Sequence, residues 1–349
     1  MLHTLSDMRI PMFTVGLLVL SGLVLAHGNA NALPLVWPTP NTAFAEGKPL
    51  ESYIQPTASG IVDSGLFGCV RNDGRRFHEG IDLLSIQRDR SGESTDPVFA
   101  VMDGVVAYVN RTAGHSGYGR YVVLEHPRAR PAVYTLYSHL RSIPSDIQPG
   151  VSVSAGDRIG VLGRSAGGYT IPRSRAHLHF EIGLRLSDDF QSWFDRQPFG
   201  EPNRHQAYSG LNLVGTDPLA FFTRFLAEGS ADLERYFQEI PAEVTLVVNF
   251  PGTPDFVQRY PNLLTRTLPT DQIGGWEVGF TGYGLPIRWT PLSHDDPILP
   301  DSVGEVAVIR HSNTIPNRHA CRDFVRLRDG QATLGRSATR ILQLLFGFQ

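Results

Sequence analysis

Residues 176–183, with the sequence AHLHFEIG, alternate between polar and apolar side chains in a run of strand-forming character. On an extended strand successive side chains point to opposite faces. His177, His179 and Glu181 therefore share one face, and the leucine and phenylalanine between them share the other. We expect the apolar face to pack on a core while the two imidazoles point into a common space.

Four runs on the N-terminal side of this stretch have similar strand character. They are short, enriched in β-branched and aromatic residues, and separated by glycine-rich turns. Their sequences are PVFAVMDGVVAYVN (97–110), GRYVVLEH (119–126), AVYTLYSHL (132–140) and DRIGVLG (157–163). Strands at this spacing predict a mainly β fold, with an antiparallel sandwich or barrel-like sheet over residues 61–184.

Two motifs in the same region carry further candidate metal ligands. The motif HEGID holds His78 and Asp82 four residues apart, an even spacing that puts both on one side of an extended chain. The motif YSHL holds His139, and the same parity puts it on one face with Tyr137 and Thr135. Neighbouring strands would thus present four imidazoles and one carboxylate to one groove, a donor set that zinc prefers. Spacing alone does not decide which three of the five bind the metal.

The composition of the 349-residue chain is that of a folded protein. Hydrophobic residues make up 41% and charged residues 19%, which excludes a disordered or collagen-like chain. The chain has 31 basic and 34 acidic residues, a formal net charge of -3 and no block of basic residues. These numbers argue against a nucleic-acid binder that neutralises phosphates with a dense basic patch.

The N-terminus has the pattern of an export signal. Arg9 precedes an uncharged apolar run over residues 12–26, and Ala-Asn-Ala follows at residues 30–32. We therefore expect a signal peptide over residues 1–32, cleaved after Ala32. An uncleaved membrane anchor is the alternative, but the run is shorter than the roughly 20 residues that span a bilayer. The mature protein should then meet the membrane only transiently, through this segment.

The two cysteines, Cys69 and Cys321, fit the same compartment. In an exported chain such a pair is expected to form a disulfide, here joining the start of the β-rich region to the C-terminal part. Two free buried thiols are the alternative.

Three further segments differ in composition from the β-rich region. Residues 33–60 are rich in proline, threonine and serine and predict an extended N-terminal arm. Residues 185–216 are polar and aromatic and predict a long insert loop, of the kind that often carries function. Residues 217–349 predict a smaller α+β unit of unknown role.

Within that C-terminal unit, PLAFFTRFLAEGSADLERYFQEI predicts one or two helices, with Ser230 as an N-cap and Asp232 in the first turn. The runs VTLVVNF, GWEVGF and GEVAVIRH predict strands, and ATRILQLLF predicts a closing helix.

Taken together, the motifs between about residue 60 and residue 184 resemble the lysostaphin/LytM-type zinc metallopeptidases, which cut bacterial peptidoglycan. The likeness rests on FHEGIDL, GYGRYVVLEH, TLYSHL, VSAGDRIGVLG and AHLHFEI, all in the family's order. It implies a small antiparallel β-sandwich, of the duplicated hybrid motif type, with a groove over the metal. It also implies an exported protein that is periplasmic or extracellular and associated with the cell wall.

The resemblance assigns roles to five residues by motif. His78, Asp82 and His179 correspond to the ligands of one zinc ion (Zn2+) per chain, and His177 and His139 to the two unliganded catalytic histidines. The implied chemistry is metal-assisted amide hydrolysis, in which one imidazole takes a proton from water and the pair assists the oxyanion and the leaving amine. We expect His177 to be the base and His139 a stabiliser, a division that the sequence leaves open.

Two features depart from the family pattern. The loop GRSAGGYTIPRSRA is longer than usual, and its Arg164, Arg173 and Arg175 are candidates to hold free carboxylates of a stem peptide. A solvated loop is the alternative. In the insert loop, Trp193 and Phe194 are candidates for a wall of the groove, with packing onto the sandwich as the alternative.

The leading functional hypothesis is an exported zinc metalloendopeptidase that hydrolyses peptide bonds in peptidoglycan stem peptides or cross-links. The alternative is a non-catalytic LytM-type module that binds or activates another cell-wall hydrolase. Such a module normally shows a broken ligand set, whereas here all the inferred ligands and both catalytic histidines are present. A zinc peptidase for other protein substrates is a third hypothesis.

Overall fold

The computed structural model of the protein describes residues 33–312, 315–328 and 331–348. Antiparallel sheets dominate this part of the chain, which confirms the predicted mainly β fold. The predicted signal peptide over residues 1–32 lies outside the described residues. No helix within the described ranges is long and apolar enough to cross a membrane.

The first eleven strands in chain order are β1 (Leu33–Pro34), β2 (Gly68–Arg71), β3 (Arg76–His78), β4 (Ile81–Leu84), β5 (Pro97–Phe99), β6 (Gly104–Asn110), β7 (Tyr121–Glu125), β8 (Tyr134–Ser138), β9 (Ser152–Val153), β10 (Arg158–Val161) and β11 (His177–Arg185). The elements that follow are α1 (Phe190–Asp195), β12 (Leu213–Thr216), α2 (Pro218–Phe225), β13 (Ser230–Ala231), α3 (Leu233–Glu239), β14 (Val244–Asn249), α4 (Asp255–Arg259), β15 (Ile273–Phe280), β16 (Pro286–Ser293), β17 (Val306–His311), β18 (Val325–Arg328), β19 (Gln331–Leu334) and α5 (Arg336–Phe346).

The largest sheet among the described residues has seven strands, in the order β12-β11-β8-β7-β6-β9, with β4 paired to the N-terminal half of β11. Every pairing in it is antiparallel. Strand β11 contains most of the alternating stretch of residues 176–183, and it is paired on both sides. The register sets His179 opposite Asp82 on one neighbour and opposite Ser138 on the other.

The two faces of this sheet have different surroundings. Leu178, Phe180 and Ile182 of β11 are buried in the main core, as the alternation predicts. The small antiparallel pair β5–β10 packs Val98 and Ile159 into the same core. A second, smaller cluster of buried side chains is separate from this core. It consists of tyrosines and aliphatic residues from β6, β7, β8 and β12.

A second antiparallel sheet, in the order β16-β15-β14-β17, follows in the C-terminal part. Strands β14, β15 and β17 and helices α2, α3 and α5 confirm the elements predicted there. Strand β16 was not predicted, because Pro286 and Pro291 interrupt its strand pattern and proline is uncommon inside sheets.

The predicted helix cap at Ser230 is wrong. Ser230 lies in strand β13, which pairs with β1. Asp232, expected in the first turn, is instead the N-cap of α3 and accepts a hydrogen bond from the backbone N–H of Arg235. Aspartate and serine are both favourable caps, so composition alone did not separate them.

The central sheet continues past Leu184, because β12 pairs with the C-terminal half of β11. The described residues of the chain fall in one compact unit, and the main core contains side chains from both large sheets. The domain boundaries predicted from the sequence stay predictions.

The predicted disulfide between Cys69 and Cys321 is confirmed. It joins β2 to the turn that precedes β18 and spans a sequence separation of 252 residues. The backbone N–H of Cys69 also donates to the carbonyl of Arg318 at 2.7 Å. The hairpin β2–β3 is therefore fixed to the C-terminal part of the chain.

Candidate metal centre

Three side chains meet where β3, β4 and β11 come together. His78 ends β3, and Asp82 in β4 faces His179 in β11. Oδ1 of Asp82 lies 3.2 Å from Nε2 of His78 and 3.1 Å from Nδ1 of His179, and these two nitrogens are 2.9 Å apart. All three residues are buried. Among the described residues, this is the group whose ligand atoms lie close enough together to hold one metal ion.

Hydrogen bonds orient both imidazoles of this group. Nδ1 of His78 donates to the carbonyl of Leu66 at 2.7 Å, and Nε2 of His179 donates to Oε1 of Glu181 at 2.9 Å. With the rings neutral, each therefore points a lone pair at Asp82. Electron-rich atoms this close repel one another unless a cation lies among them. Two imidazoles and one carboxylate are a donor set that fits zinc, with a coordination position left for water.

A guanidinium group lies directly against the proposed ligands. Nη2 of Arg71, at the end of β2, lies 2.8 Å from Nε2 of His78 and forms an ion pair with Oδ2 of Asp82. The positive charge of Arg71 offsets the repulsion expected among the electron-rich atoms of His78, Asp82 and His179. This contact therefore agrees with a site that attracts cations. Sequence reasoning gave Arg71 no role, because one arginine in a hairpin carries no spacing signal.

The pKa values of the ligands reflect burial and the contacts between them. Burial by itself would raise the pKa of the Asp82 carboxyl, but the neighbouring histidines hold it well below its usual range. Burial also lowers the pKa of His179, yet hydrogen bonds to Asp82 and Glu181 outweigh it and raise this pKa to about 9. A proton on His179 is thus the competitor of a metal ion, which has to displace it on binding.

The two other predicted histidines lie beside this group. The ring centroids of His139 and His177 are 4.8 Å apart, and Nε2 of His177 lies 3.6 Å from Oδ2 of Asp82. Nδ1 of His177 donates to the carbonyl of Arg175 at 2.7 Å, and Nδ1 of His139 donates to that of Ser165 at 2.9 Å. In each ring Nε2 is left as the proton acceptor. Burial lowers the pKa of both rings, which keeps them neutral at pH 7.

The predicted orientation of His139 along its strand is wrong. Tyr137 faces the main core, where its ring centroid lies 5.3 Å from that of Phe180, and its hydroxyl accepts a hydrogen bond from Thr135. His139 follows the last residue of β8 and has a φ angle of 60°. This left-handed backbone, uncommon for residues other than glycine, turns the ring toward His177. Strand alternation does not apply beyond the end of a strand.

Glu181 continues the open face of β11, as the alternation predicts, and supports His179 from behind. Its Oε1 accepts hydrogen bonds from Nε2 of His179 and from the hydroxyl of Tyr118, both at 2.9 Å. Its Oε2 accepts from the hydroxyl of Tyr134 at 3.0 Å. A carboxylate in this position fixes the tautomer and orientation of a metal-binding imidazole. The sequence placed Glu181 near the histidines but did not predict this function.

A cleft of about 1000 Å³ lies over these side chains. Its walls include residues of the 56–64 segment, the hairpin β2–β3, Tyr169, and two arginines from the C-terminal part, Arg322 and Arg340. Trp193 and Phe194 are absent from the described residues that line it. Trp193 is buried, and its Nε1 donates a hydrogen bond to Gln343 at 3.1 Å. This side chain therefore packs inside the protein, which was the alternative to its forming a wall of the groove.

The three loop arginines predicted to hold peptide carboxylates lie in different surroundings, and for Arg175 the role stays a prediction. Arg175 lines the cleft. Arg164 and Arg173 each pair with Glu93, at N–O distances of 2.8 Å in both cases. These hydrogen bonds lower the pKa of Glu93 to about 2. The prediction for Arg164 and Arg173 is therefore wrong, because both pair with an acid that is distant in sequence and lies outside the cleft.

The family described as Peptidase family M23 matches residues 76–189 of the chain. This stretch contains all five residues that the sequence analysis assigned to the site, which are His78, Asp82, His139, His177 and His179. The family match thus agrees with the resemblance found in the motifs.

Solved structures are similar to parts of the chain. A proposed glycyl-glycine endopeptidase LytM from Ruminococcus gnavus is 30% identical over 33% of this chain and 43% of its own, with a TM-score of 0.26. The catalytic domain of the antimicrobial peptidase lysostaphin from Staphylococcus simulans is 20% identical over 50% of this chain and 95% of its own, with a TM-score of 0.29. A zinc-containing peptidase from Vibrio cholerae is 22% identical over 44% of this chain and 34% of its own, with a TM-score of 0.24. The chain thus spans less than half of the first and third of these proteins. No curated protein matches it.

Proposed function

We propose that the protein is a zinc-dependent endopeptidase that hydrolyses peptide bonds in peptidoglycan stem peptides or cross-links, and the match of residues 76–189 to the family described as Peptidase family M23 supports this proposal. One observation carries the proposal. The convergent group of His78, Asp82 and His179 lies beside two further imidazoles, each with Nε2 left as an acceptor. The cleft over them supports a peptide as the substrate.

The proposed mechanism assigns a task to each of these side chains. His78, Asp82 and His179 would hold the zinc ion, which supplies Lewis-acid polarisation of a carbonyl and lowers the pKa of water to about 7. Nε2 of His177 accepts a proton from the attacking water, because its Nδ1–H is already engaged with Arg175. His139, whose ring lies beside that of His177, can share this proton at its own Nε2 and then donate to the developing oxyanion, which a neutral ring with a free Nε2 lone pair cannot do. The same proton finally passes to the leaving amine.

The alternative is a non-catalytic module that binds or activates another cell-wall hydrolase. A module of that kind needs neither oriented ligand tautomers nor a second pair of imidazoles. The hydrogen bonds that fix Nε2 of His139 and His177 as acceptors therefore favour the enzyme.

We also propose that the protein is exported and acts in the periplasm or outside the cell. The predicted signal peptide supports export, and so does the disulfide between Cys69 and Cys321, since such bonds persist in oxidising compartments. Peptidoglycan lies in the same compartment as the proposed site of action.

Digestion of purified sacculi tests the proposed function. The zinc-loaded wild type, His177→Ala, His179→Ala and the control His294→Ala would be compared by chromatography of the released muropeptides and by metal analysis. His294 is a matched control because its ring bonds to the carbonyl of Asp271, outside the cleft. His179→Ala should lose both metal and turnover, whereas His177→Ala should keep the metal and lose about 10²–10⁴-fold in rate.

A wild type that binds zinc but releases no new muropeptides would contradict the enzyme and favour the binding module. Release of muropeptides by His177→Ala at the wild-type rate would contradict the assignment of the base. Cleavage of glycine- and alanine-rich test peptides without cleavage of sacculi would favour a peptidase for other protein substrates.

A further inference from the structure

Two arginines that the C-terminal part brings into the cleft have no task in the proposed hydrolysis. Arg322 precedes β18, and Arg340 lies in the middle of α5. Both line the cleft that contains the proposed metal ligands. Arg322 is held by Glu79, whose Oε1 accepts from its Nη2 at 2.7 Å, and by the ring of Phe77, 4.3 Å from its Cζ. Glu79 directly follows the proposed ligand His78, so this group lies close to the metal centre.

Arg340 has no hydrogen-bonding partner among the described residues. Its guanidinium forms no hydrogen bond or ion pair with any residue in the described ranges, and its Nε is buried. The Nε of Arg322 is likewise buried and without an acceptor. Burial, followed by the positive charge of Arg322, lowers the pKa of Arg340 to about 10. Buried donors of a charged group are unfavourable without an acceptor. The described residues offer none to these atoms, and a ligand in the cleft could supply it.

The charges around the two side chains define what the acceptor is. Glu79 neutralises only one of the two guanidinium charges, so this part of the cleft keeps a positive charge. Over the whole cleft, five arginines face three acids, which are Arg71, Arg76, Arg175, Arg322 and Arg340 against Asp73, Glu79 and Asp82. A planar guanidinium group matches the geometry of a carboxylate, with which it forms paired hydrogen bonds. A peptide supplies this anion at its C-terminus or on an acidic side chain.

We propose that Arg340 and Arg322 form a carboxylate-binding subsite, which holds a free carboxylate of the peptide while the scissile bond lies at the metal centre. The identity of the peptide rests on the proposed function. The subsite makes a carboxylate-bearing peptide the preferred substrate, in contrast to an uncharged glycine bridge. It also gives the C-terminal part of the chain a direct contact with the substrate.

The test combines a substitution in the protein with a chemical change in the substrate. Muropeptides released from sacculi would be used as such and after their carboxylates have been converted to amides with carbodiimide and ammonia. The proteins would be the zinc-loaded wild type, Arg340→Gln, Arg340→Lys and the control Arg336→Gln. Arg336 lies one turn earlier in α5, and its side chain is 92% exposed, outside the cleft. Both kcat/KM and equilibrium binding would be measured.

Amidation should lower both quantities at least tenfold for the wild type and for Arg336→Gln. For Arg340→Gln, which has already lost the contact, amidation should change them less than about threefold. Arg340→Lys keeps the charge without the planar fork and should fall between the two. Thermal unfolding and zinc content should match the wild type in all variants, which separates a lost contact from a lost fold.

The subsite is contradicted if Arg340→Gln loses as much on amidation as the wild type does, or if neither form of the muropeptides binds. If the muropeptides bind in the expected pattern but are not cleaved, the subsite stands and the proposed hydrolase fails. If they are cleaved but Arg340→Gln responds like the wild type, the hydrolase stands and the subsite fails.

Discussion

At the scale of single residues, the site depends on which nitrogen of each imidazole carries the proton. His78, His139 and His177 each donate from Nδ1 to a backbone carbonyl. His179 differs, because its Nε2 donates to the carboxylate of Glu181 and its Nδ1 faces Asp82. These contacts orient every ring before any ligand binds, so the residues behind the histidines should matter as well as the histidines themselves.

Glu181→Gln tests this dependence on the second carboxylate. A neutral amide binds the Nε2–H of His179 less strongly and makes the ring a weaker ligand, so we expect zinc affinity to fall about 10–100-fold. Competition with a chelator of known affinity measures the change. Glu125→Gln is the control, since Glu125 also accepts from a tyrosine hydroxyl, that of Tyr208, but lies outside the metal group. Equal zinc affinity of Glu181→Gln and the wild type would contradict the positioning role.

His126 should make the stability of the fold depend on pH. It is completely buried, and burial lowers its pKa to about 4, whereas the unfolded chain has a histidine pKa of about 6.5. Below pH 6.5 the His126 ring becomes protonated in the unfolded chain but stays neutral in the folded protein. The free energy of unfolding therefore falls as the pH drops from 6.5 toward 4. Between pH 7 and pH 4.5 this group should remove about 2–3 kcal/mol.

Urea unfolding of the wild type and of His126→Gln at these two pH values checks this prediction. The variant has no imidazole to protonate at this position, so its loss of stability on acidification should be smaller by that amount. Identical losses for both proteins would show that His126 does not contribute.

At the scale of elements, strand β11 was predictable and the ends of its neighbours were not. Alternation along residues 176–183 correctly gave His179 and Glu181 one face and Phe180 the other, because β11 is regular and paired on both sides. The rule failed for His139, whose left-handed backbone lies just past β8. The polar and apolar alternation predicts side-chain orientation only within a strand. A residue just past the end of a strand is oriented by its own contacts, which for His139 is the hydrogen bond to the carbonyl of Ser165.

The hairpin β2–β3 carries Arg71 and His78, and the disulfide fixes it to the C-terminal part. In the chain-entropy account, a bond across 252 residues stabilises the fold by at most about 5 kcal/mol. The free energy of unfolding of the double variant Cys69→Ser/Cys321→Ser should therefore be lower than that of the wild type by a large part of this amount. Denaturant unfolding would measure it against the oxidised wild type. A loss below about 1 kcal/mol would contradict the stabilising role of the bond.

At the scale of the whole molecule, the cleft is lined by residues that no local motif connects. The motifs HEGID, YSHL and AHLHFEI predicted the histidines and the aspartate, because a metal centre requires those residue types and the resemblance supplied their order. Arg322 and Arg340 were not predicted, since their place in the cleft follows from the packing of α5 and from the disulfide. Arg164 and Arg173 were misplaced for a related reason, because their partner Glu93 is far away in sequence.

Metal analysis by mass spectrometry, after zinc loading and extensive dialysis, tests the central claim most directly. If His78, Asp82 and His179 hold one ion, the wild type should retain about one zinc per chain, and His179→Ala and Asp82→Ala should retain almost none. A wild type without zinc, or an His179→Ala protein that keeps a full equivalent, would contradict the metal centre and the hydrolase built on it.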